Sequence, residues 1–566
     1  MSSPTVTPPT AQPEADPRRW IALAVVLTAA FMQLVDISIV NVAIPSIQRD
    51  LDATYSQIQW VLAGYQLAFA VTLITGGRLG DIFGRKRLFM IGMAGFTLAS
   101  ALCGLAQSPG MLIGSRVLQG LMGAVMFPQT LSVIQVTFPP RERGTALGIF
   151  GATIGLATIT GPLVGGLLIN ADLFGLEWRP IFLVNVPIGV VALVAAARLL
   201  HESKAPHALH TDLVGVGIVS AGLLLLVYPL VEGRDLGWPP WTFASIAASV
   251  PVLAAFAWWE RRKKATDGSP LVDLDLFRQR AFVAGLLLAG IFFMGIPAFF
   301  LTFTIWLQIG LGFTALHAGL TGVPFAVGSA LASGASTRLA PRLGRGILSL
   351  GTLLITIGMA GIIATVDRYE GNTTSWQLVP ALAVCGLGLG SVIAPLVNVV
   401  LAGIRQQDAG SASGVLTTVQ QVGGAIGVAL VGVIFFGLLG SHAATVATRA
   451  VPGLRESLQS AGVPAPASRQ VVAGFEACFE DRSSAKDPAA VPASCQRAQA
   501  QSGSDPQVGR VVAAAADSAR RRNFSEVFER TLLFEVAVFL ACFLLVFLLP
   551  PTHGRAAERA RAAVPA

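Results

Sequence analysis

Charge is what this sequence lacks most. Of its 566 residues, Asp, Glu, Lys and Arg make up 12%, against about 25% in a soluble chain. With 53% hydrophobic residues and a mean hydropathy of +0.67, that scarcity excludes a water-soluble globular domain and points to a polytopic membrane protein. Histidine is scarce too. All six (His201, His207, His210, His317, His442 and His553) fall in loops or at the edges of apolar runs. No His/Asp/Glu cluster has metal-ligand spacing, and neither a nucleophile elbow nor a phosphate-cradling loop is present. The expectation is therefore no enzyme, with no catalytic residue, metal or bound cofactor. Of only five cysteines, Cys103, Cys385 and Cys542 lie inside apolar runs and read as small core residues. The formal charge of +8 sits in short loops between apolar runs, so it does not imply a nucleic-acid partner.

Long apolar runs are what the chain has in their place. Scanning for runs of about 19 residues gives spans near 20–44, 57–76, 88–106, 111–137, 145–170, 180–200, 212–231, 242–259, 282–308, 316–336, 347–366, 377–403, 411–439 and 530–550. Between the second and third lies Gly77-Arg78-Leu79-Gly80-Asp81-Ile82-Phe83-Gly84-Arg85-Lys86-Arg87. Its four cations assign this turn to the cytoplasm by the positive-inside rule. Counting fourteen spans outward puts both termini on that side. It also collects Arg18/Arg19, Arg141/Arg143, Arg261 to Lys264, Arg278/Arg280, Arg338/Arg342/Arg345, Arg405 and the basic C-terminal tail there. The short outer loops keep Arg49, Arg179, Arg234 and Arg368. The Pro/Thr-rich residues 1–17 read as a disordered tail.

The chain repeats itself. Arg78, Leu79, Gly84 and Arg85 recur as Arg338, Leu339, Gly344 and Arg345, 260 positions later (338 − 78). The stripe Gly148, Gly151, Gly155, Thr158, Pro162, Gly165 recurs as Gly410, Ser413, Thr417, Gln420, Gly424, Gly427, 262 positions later (410 − 148). Two echoes at nearly one offset imply duplicated six-helix bundles. The expected domains are a cytoplasmic tail 1–17, a bundle 18–200, two inserted helices within 201–281, a bundle 282–550 and a cytoplasmic tail 551–566. Within the second bundle, residues 440–529 read as a long polar outer loop. Cys478 and Cys495, with sixteen residues between them, either form a disulfide there, as an oxidising exterior permits, or remain two free thiols.

Few ionisable groups lie inside the apolar spans. Each is costly at depth unless paired or hydrated, which makes intramembrane charge a functional hypothesis by default. Asp36 is seventeen residues beyond Arg19, roughly 25 Å from the cytoplasmic face, and Arg116 is roughly 9 Å below the outer face. In a core of about 30 Å the two share a level. They either pair or share a hydrated cavity in which Asp36 carries a proton; the plainer reading is a helix-to-helix bond and backbone contacts. Glu535 reads as an interfacial carboxylate. Asp81, a lone acid in a cationic turn, suits a bond to a neighbouring helix N-terminus. That would make Gly77, Arg78, Gly80, Asp81, Gly84, Arg85 and Lys86 a gate, or simply a positive-inside anchor. Gly161-Pro162-Leu163-Val164-Gly165-Gly166 supplies small residues for close helix approach. Candidate cavity walls are Trp60, Tyr65, Gln66, Gln119, Met126, Phe127, Phe303, Trp306, Asn398 and Gln420.

These motifs resemble the major facilitator superfamily. The Gly77–Arg87 stretch resembles its loop-2/3 motif. Leu34 to Pro45, Arg116 to Gly120 and Gly161 to Gly166 are similar to the first-helix, fourth-helix and antiporter motifs of the fourteen-helix drug:proton antiporter branch (EmrB/QacA type). Trp178 to Gly189 fits as well, with Pro180 in place of the usual Trp. The resemblance implies the all-α major facilitator fold: two six-helix bundles plus two inserted helices, fourteen transmembrane helices in all. It also implies alternating access in a bacterial cell membrane, with a proton gradient driving export of a drug or secondary metabolite. It assigns proton coupling to Asp36 with Arg116 in support, state stabilisation to Asp81 and antiport geometry to Gly161, Pro162, Gly165 and Gly166. Spans nine to thirteen hold no interior acid, which favours a neutral or singly charged amphipathic substrate. The expected partners are that compound, protons and lipid, with the chain acting as a monomer. A proton-coupled importer of the same fold, or a sensor using 440–529 as a receptor domain, are the competing readings.

Overall fold

The computed structural model describes residues 17–204, 210–401, 404, 409–485, 491–501 and 506–549. The two tails, apart from Pro17, and Arg405 lie outside them. Among the described residues, twelve helices are long and apolar enough to cross a membrane. The first bundle comprises α1 (Arg19–Asp50), α2 (Tyr55–Phe83), α3 (Arg85–Gly104), α4 (Pro109–Thr137), α5 (Pro140–Ala171) and α6 (Pro180–Leu199). The inserted pair is α7 (Leu213–Leu236) and α8 (Pro240–Asp267). The second bundle begins with α9 (Arg280–Ile305), α10 (Ala315–Ser336), α11 (Gly346–Tyr369) and α12 (Ser375–Leu401). It is completed by α13 (Ala409–Ser460) and α16 (Pro506–Val546). Between those two stand α14 (Ala465–Ser484) and α15 (Ala493–Gln501).

Local chemistry starts these helices where the apolar runs begin. Thr54 and Gln57 form a reciprocal capping box at the head of α2. Ser108 caps α4, and Pro109 follows at a position where no N–H is needed. Within each bundle small residues set the spacing. A Cβ on Gly92 of α3 would sit 2.7 Å from Met126 N of α4, and one on Gly358 of α11 would sit 2.7 Å from Cys385 N of α12. Such approaches replace the hydrophobic drive that lipid does not supply.

The inserted helix α7 lies along the seam between bundles. Leu223, Val227 and Val231 pack against Ala63 and Leu67 of α2 and against Ala425 and Ala429 of α13. Trp60, expected on a central wall, turns outward instead and donates its indole N–H to Glu232 of α7 at 2.8 Å.

The stretch 440–529 is not the polar loop expected from its composition. α13 and α16 run far past the apolar spans and, with α14, bury Val446, Leu454, Leu458, Val471, Val472, Phe475, Phe479 and Val508 in a core of their own. Ala, Gln and Arg are good helix formers, and sparse apolar residues at helical spacing suffice for three helices to share one core. Cys478 and Cys495 are joined by a disulfide that ties α14 to α15. Closing a loop of this length is worth about 3 kcal/mol. Cys478→Ser is expected to make the α14–α15 segment several-fold more sensitive to limited proteolysis. Identical cleavage of wild type and variant would show that the bond contributes nothing.

Candidate functional site

Asp36 lies at mid-helix in α1, fully buried, and its carboxylate is saturated with donors. Arg116 of α4 donates from Nη1 at 2.5 Å, Gln119 from Nε2 at 2.8 Å and Asn185 of α6 from Nδ2 at 2.9 Å. Arg116 is equally committed. Its Nη1 also donates to Gln119 Oε1 at 2.7 Å and its Nε to Val61 O at 3.3 Å, and its guanidinium lies 4.3 Å from the centre of the Tyr65 ring. Asn185 is steered by Ser100 Oγ of α3 at 3.0 Å. Five helices thus converge on one buried charge pair. Neither charge is exposed without the other, because an unpaired buried ion costs several kcal/mol.

The pair is enclosed within the first bundle and does not line the central cavity. Asp36 points toward α4 and α6, away from the second bundle. Water can reach it only if those helices shift. Asn185 and Ser100 were not singled out from the sequence, although Asn185 stands inside the Trp178–Gly189 motif; an amide in an apolar run was the available signal.

Between the bundles is a narrow cavity of about 60 Å³. Ser38, Asn41 and Val42 of α1 and Pro162 of α5 face Phe300, Phe303 and Thr304 of α9 and Phe325 of α10 across it. Among the described residues no ionisable side chain lines it. The walls are aromatic with a few neutral hydrogen-bonding groups, the usual make-up of a small-molecule site. Phe303 is the one member of the expected wall set that lines this cavity. Tyr65 and Gln119 belong to the charge-pair network. Met126 is fully buried in the first bundle's core, and Phe127 packs between Phe69 and Phe150. Trp306 donates to Ser525 at 3.0 Å and stacks on Phe528 inside the second bundle. Gln66 meets α13 beside Gly424, Gln420 is half-buried and Asn398 is exposed. Periodicity places these residues on spans but does not say which face turns inward.

The glycines of the span-five motif make the joint between bundles. A Cβ on Gly161 would collide with Ser38 Oγ, and one on Gly165 would lie 2.7 Å from Ile39 Cγ1, so α5 and α1 touch backbone to side chain. On the opposite face a Cβ on Gly166 would lie 2.9 Å from Ala315 O, and one on Gly319 would lie 2.6 Å from Pro162 O. The bundles therefore meet at the end remote from Arg78. Gln308 Nε2 donating to Val42 O at 2.8 Å and Tyr55 stacked on Phe436 at 3.9 Å reinforce that end.

At the basic end the Gly77–Arg87 turn is held by contacts to α4, α6 and the connections beside the inserted helices. Asp81 pairs with Arg85 one turn along at 2.9 Å. The carboxylate at the head of α3 belongs to Glu202, which accepts from Lys86 N and Arg87 N at 3.1 Å each. Gly84 has φ of +115°, a conformation other residues resist, and a Cβ there would strike the Glu202 carboxylate. Lys86 Nζ donates to Ala197 O at 2.7 Å. Gly80 lies flush against Gln129, and a Cβ on Gly77 would be 3.6 Å from Pro128 Cβ. Arg78 spreads its guanidinium over the carbonyls of His210, Ser269, Pro270 and Leu271. The turn is thereby bolted to the connections that flank the inserted helices.

The profile of the family described as the Major Facilitator Superfamily matches residues 26–428. The chain belongs to that superfamily. Among superfamily relatives, the "Probable actinorhodin transporter" of Streptomyces coelicolor is 44% identical over 537 residues, covering 94% of this chain and 92% of that one. The "Tetracenomycin C resistance and export protein" of Streptomyces glaucescens is 35% identical, covering 75% and 77%. The "Puromycin resistance protein pur8" of Streptomyces alboniger is also 35% identical, covering 76% and 84%. Among solved structures, a bacterial homologue of the human lysosomal transporter Spinster, inward-facing and occupied, shares the fold. Its TM-score is 0.59 at 16% identity, with 94% of this chain and 97% of that chain covered. The superfamily member described here is thus a multi-pass membrane protein built from two helical bundles and an inserted pair.

Proposed function

We propose that this superfamily member exports an uncharged or singly charged, largely aromatic antibiotic or secondary metabolite, driven by the proton gradient of a bacterial cell membrane. The basic end faces the cytoplasm, both termini lie on that side, and one chain suffices. The observation that carries the reading is the buried Asp36–Arg116 pair, a carboxylate held by an arginine and two amides within the bundle. Uptake of one proton at Asp36 removes its bond to Arg116 as an ion pair and frees the guanidinium, so protonation and helix packing are coupled. The Phe300–Phe303–Phe325 cavity supports a flat apolar cargo, because its walls offer no charge to a dication. The names of the relatives, which speak of actinorhodin, tetracenomycin C and puromycin, favour export.

Reconstituted protein under an imposed proton gradient tests this with actinorhodin, tetracenomycin C, puromycin and a quaternary-ammonium dication as the panel. At least one antibiotic is expected to be expelled and the dication ignored. Phe303→Ala is expected to raise the half-saturating concentration about tenfold, the equivalent of 1.4 kcal/mol. Accumulation on the side opposite to that of export would favour the importer, and efficient dication transport would refute the cavity assignment.

A further inference from the structure

The second bundle contains a carboxylic acid that the Asp36 network does not use. Glu535 was expected at the membrane interface, but it is fully buried on α16, with no hydrogen-bond partner for either Oε1 or Oε2. The described elements packed around α16 offer it no counter-charge. On α9 the one ionisable group is Arg280 at the opposite end. On α11 Asp367, Arg368 and Tyr369, and on α13 His442, Arg449, Arg455 and Glu456, stand at or beyond the outer end. On α16 the next charges outward are Arg530 and Glu529. An ionised carboxylate without donors in such a place costs several kcal/mol. Carrying a proton removes that cost.

The internal duplication makes this position meaningful. Glu535 lies on the sixth helix of the second bundle, as Asn185 does in the first, 350 positions earlier (535 − 185). Asn185 holds Asp36. At the 262-residue offset, Asp36 and Arg116 correspond to Ala298 and Leu378, both buried and apolar. The sixth helix of the second bundle thus carries a buried acid where that of the first carries a buried amide, and no arginine meets that acid.

The geometry points to Glu535 as a second proton-binding site of the transporter, holding its proton in the conformation described. When the helices around α16 part enough to admit water, the O–H bond breaks, the proton passes to that water and the carboxylate is hydrated. Reprotonation from water must precede resealing. This deepens the proton-driven reading above and rests on it for its transport consequence alone.

Infrared spectroscopy of purified protein in lipid nanodiscs, stepped from neutral toward alkaline pH, tests the site without any substrate. A carboxylic C=O stretching band is expected in wild type and lost in Glu535→Gln. Glu535→Leu serves as a second variant that keeps the site apolar. If wild type and both variants give the same carboxylic band at every pH, Glu535 is ionised and the proposal fails. A second measurement counts protons carried per puromycin expelled, from the gradient at which flux reverses. The count is expected to fall by one in Glu535→Gln, and an unchanged count would overturn a transport role. Failure of the Asp36 reading looks different: Asp36→Asn would keep gradient-driven efflux while the Glu535 band remained.

Discussion

Asp36→Asn is expected to reduce gradient-driven efflux to the rate of protein-free liposomes, while Arg116→Ala is expected to cost about 3–5 kcal/mol of stability. The two differ because of what each leaves behind. Without Arg116, the Asp36 carboxylate keeps Gln119 and Asn185 but has lost its counter-charge in a site with no water access. Without the Asp36 charge, Arg116 still donates to Val61 O and Gln119 Oε1 and still lies over Tyr65. The double variant Asp36→Asn, Arg116→Gln separates structure from mechanism. Removing both charges should restore most of the lost stability, since a buried pair replaced as a pair is often neutral. It should not restore efflux. Thermal unfolding in detergent, read beside proteoliposome transport, decides the matter; a stable double variant that pumps would remove this pair from the coupling mechanism.

Bulky residues at the joint between bundles are expected to have the next largest effect. Gly166→Leu or Gly319→Leu puts side-chain carbon where Ala315 O or Pro162 O now stands. Overpacking of this kind costs about 1–3 kcal/mol. The strain falls on the conformation in which the ends remote from Arg78 are together, because each bundle alone has room to relax. A bias of that size moves the ratio of closed to open far ends about fivefold to more than a hundredfold. Spin labels at Phe174 and Trp376, exposed at that end on opposite bundles, report the separation directly. A shift toward longer distances with loss of efflux is expected. An unaltered distance distribution would show that α5 and α10 do not form the pivot.

Arg78 shows how a motif can be legible while its partner is not. Its place in a cationic turn between two apolar runs follows from hydropathy and charge, which act locally and can be counted. That its guanidinium lies on the carbonyls of 269–271 depends on where a connection almost two hundred residues away comes to rest. Glu202 heads α3 for the same reason, delivered there from more than a hundred residues along the chain.

Membrane spans, their duplication and the isolation of Asp36 and Arg116 were determined by the sequence alone, because lipid imposes a length and a polarity on every segment that crosses it. The matching depth of those two residues followed from helical rise. Which faces meet was decided by tertiary structure, since small-residue stripes and apolar spans give lipid and protein much the same surface to contact. Hence Trp60 turned to the inserted helices, the aromatic cavity drew on Phe300 and Phe325, and Asp36 was enclosed by Asn185. Glu535 is the sharpest case. One residue in an apolar run gives its depth, but only the packing of the surrounding helices decides whether that depth is wet or dry.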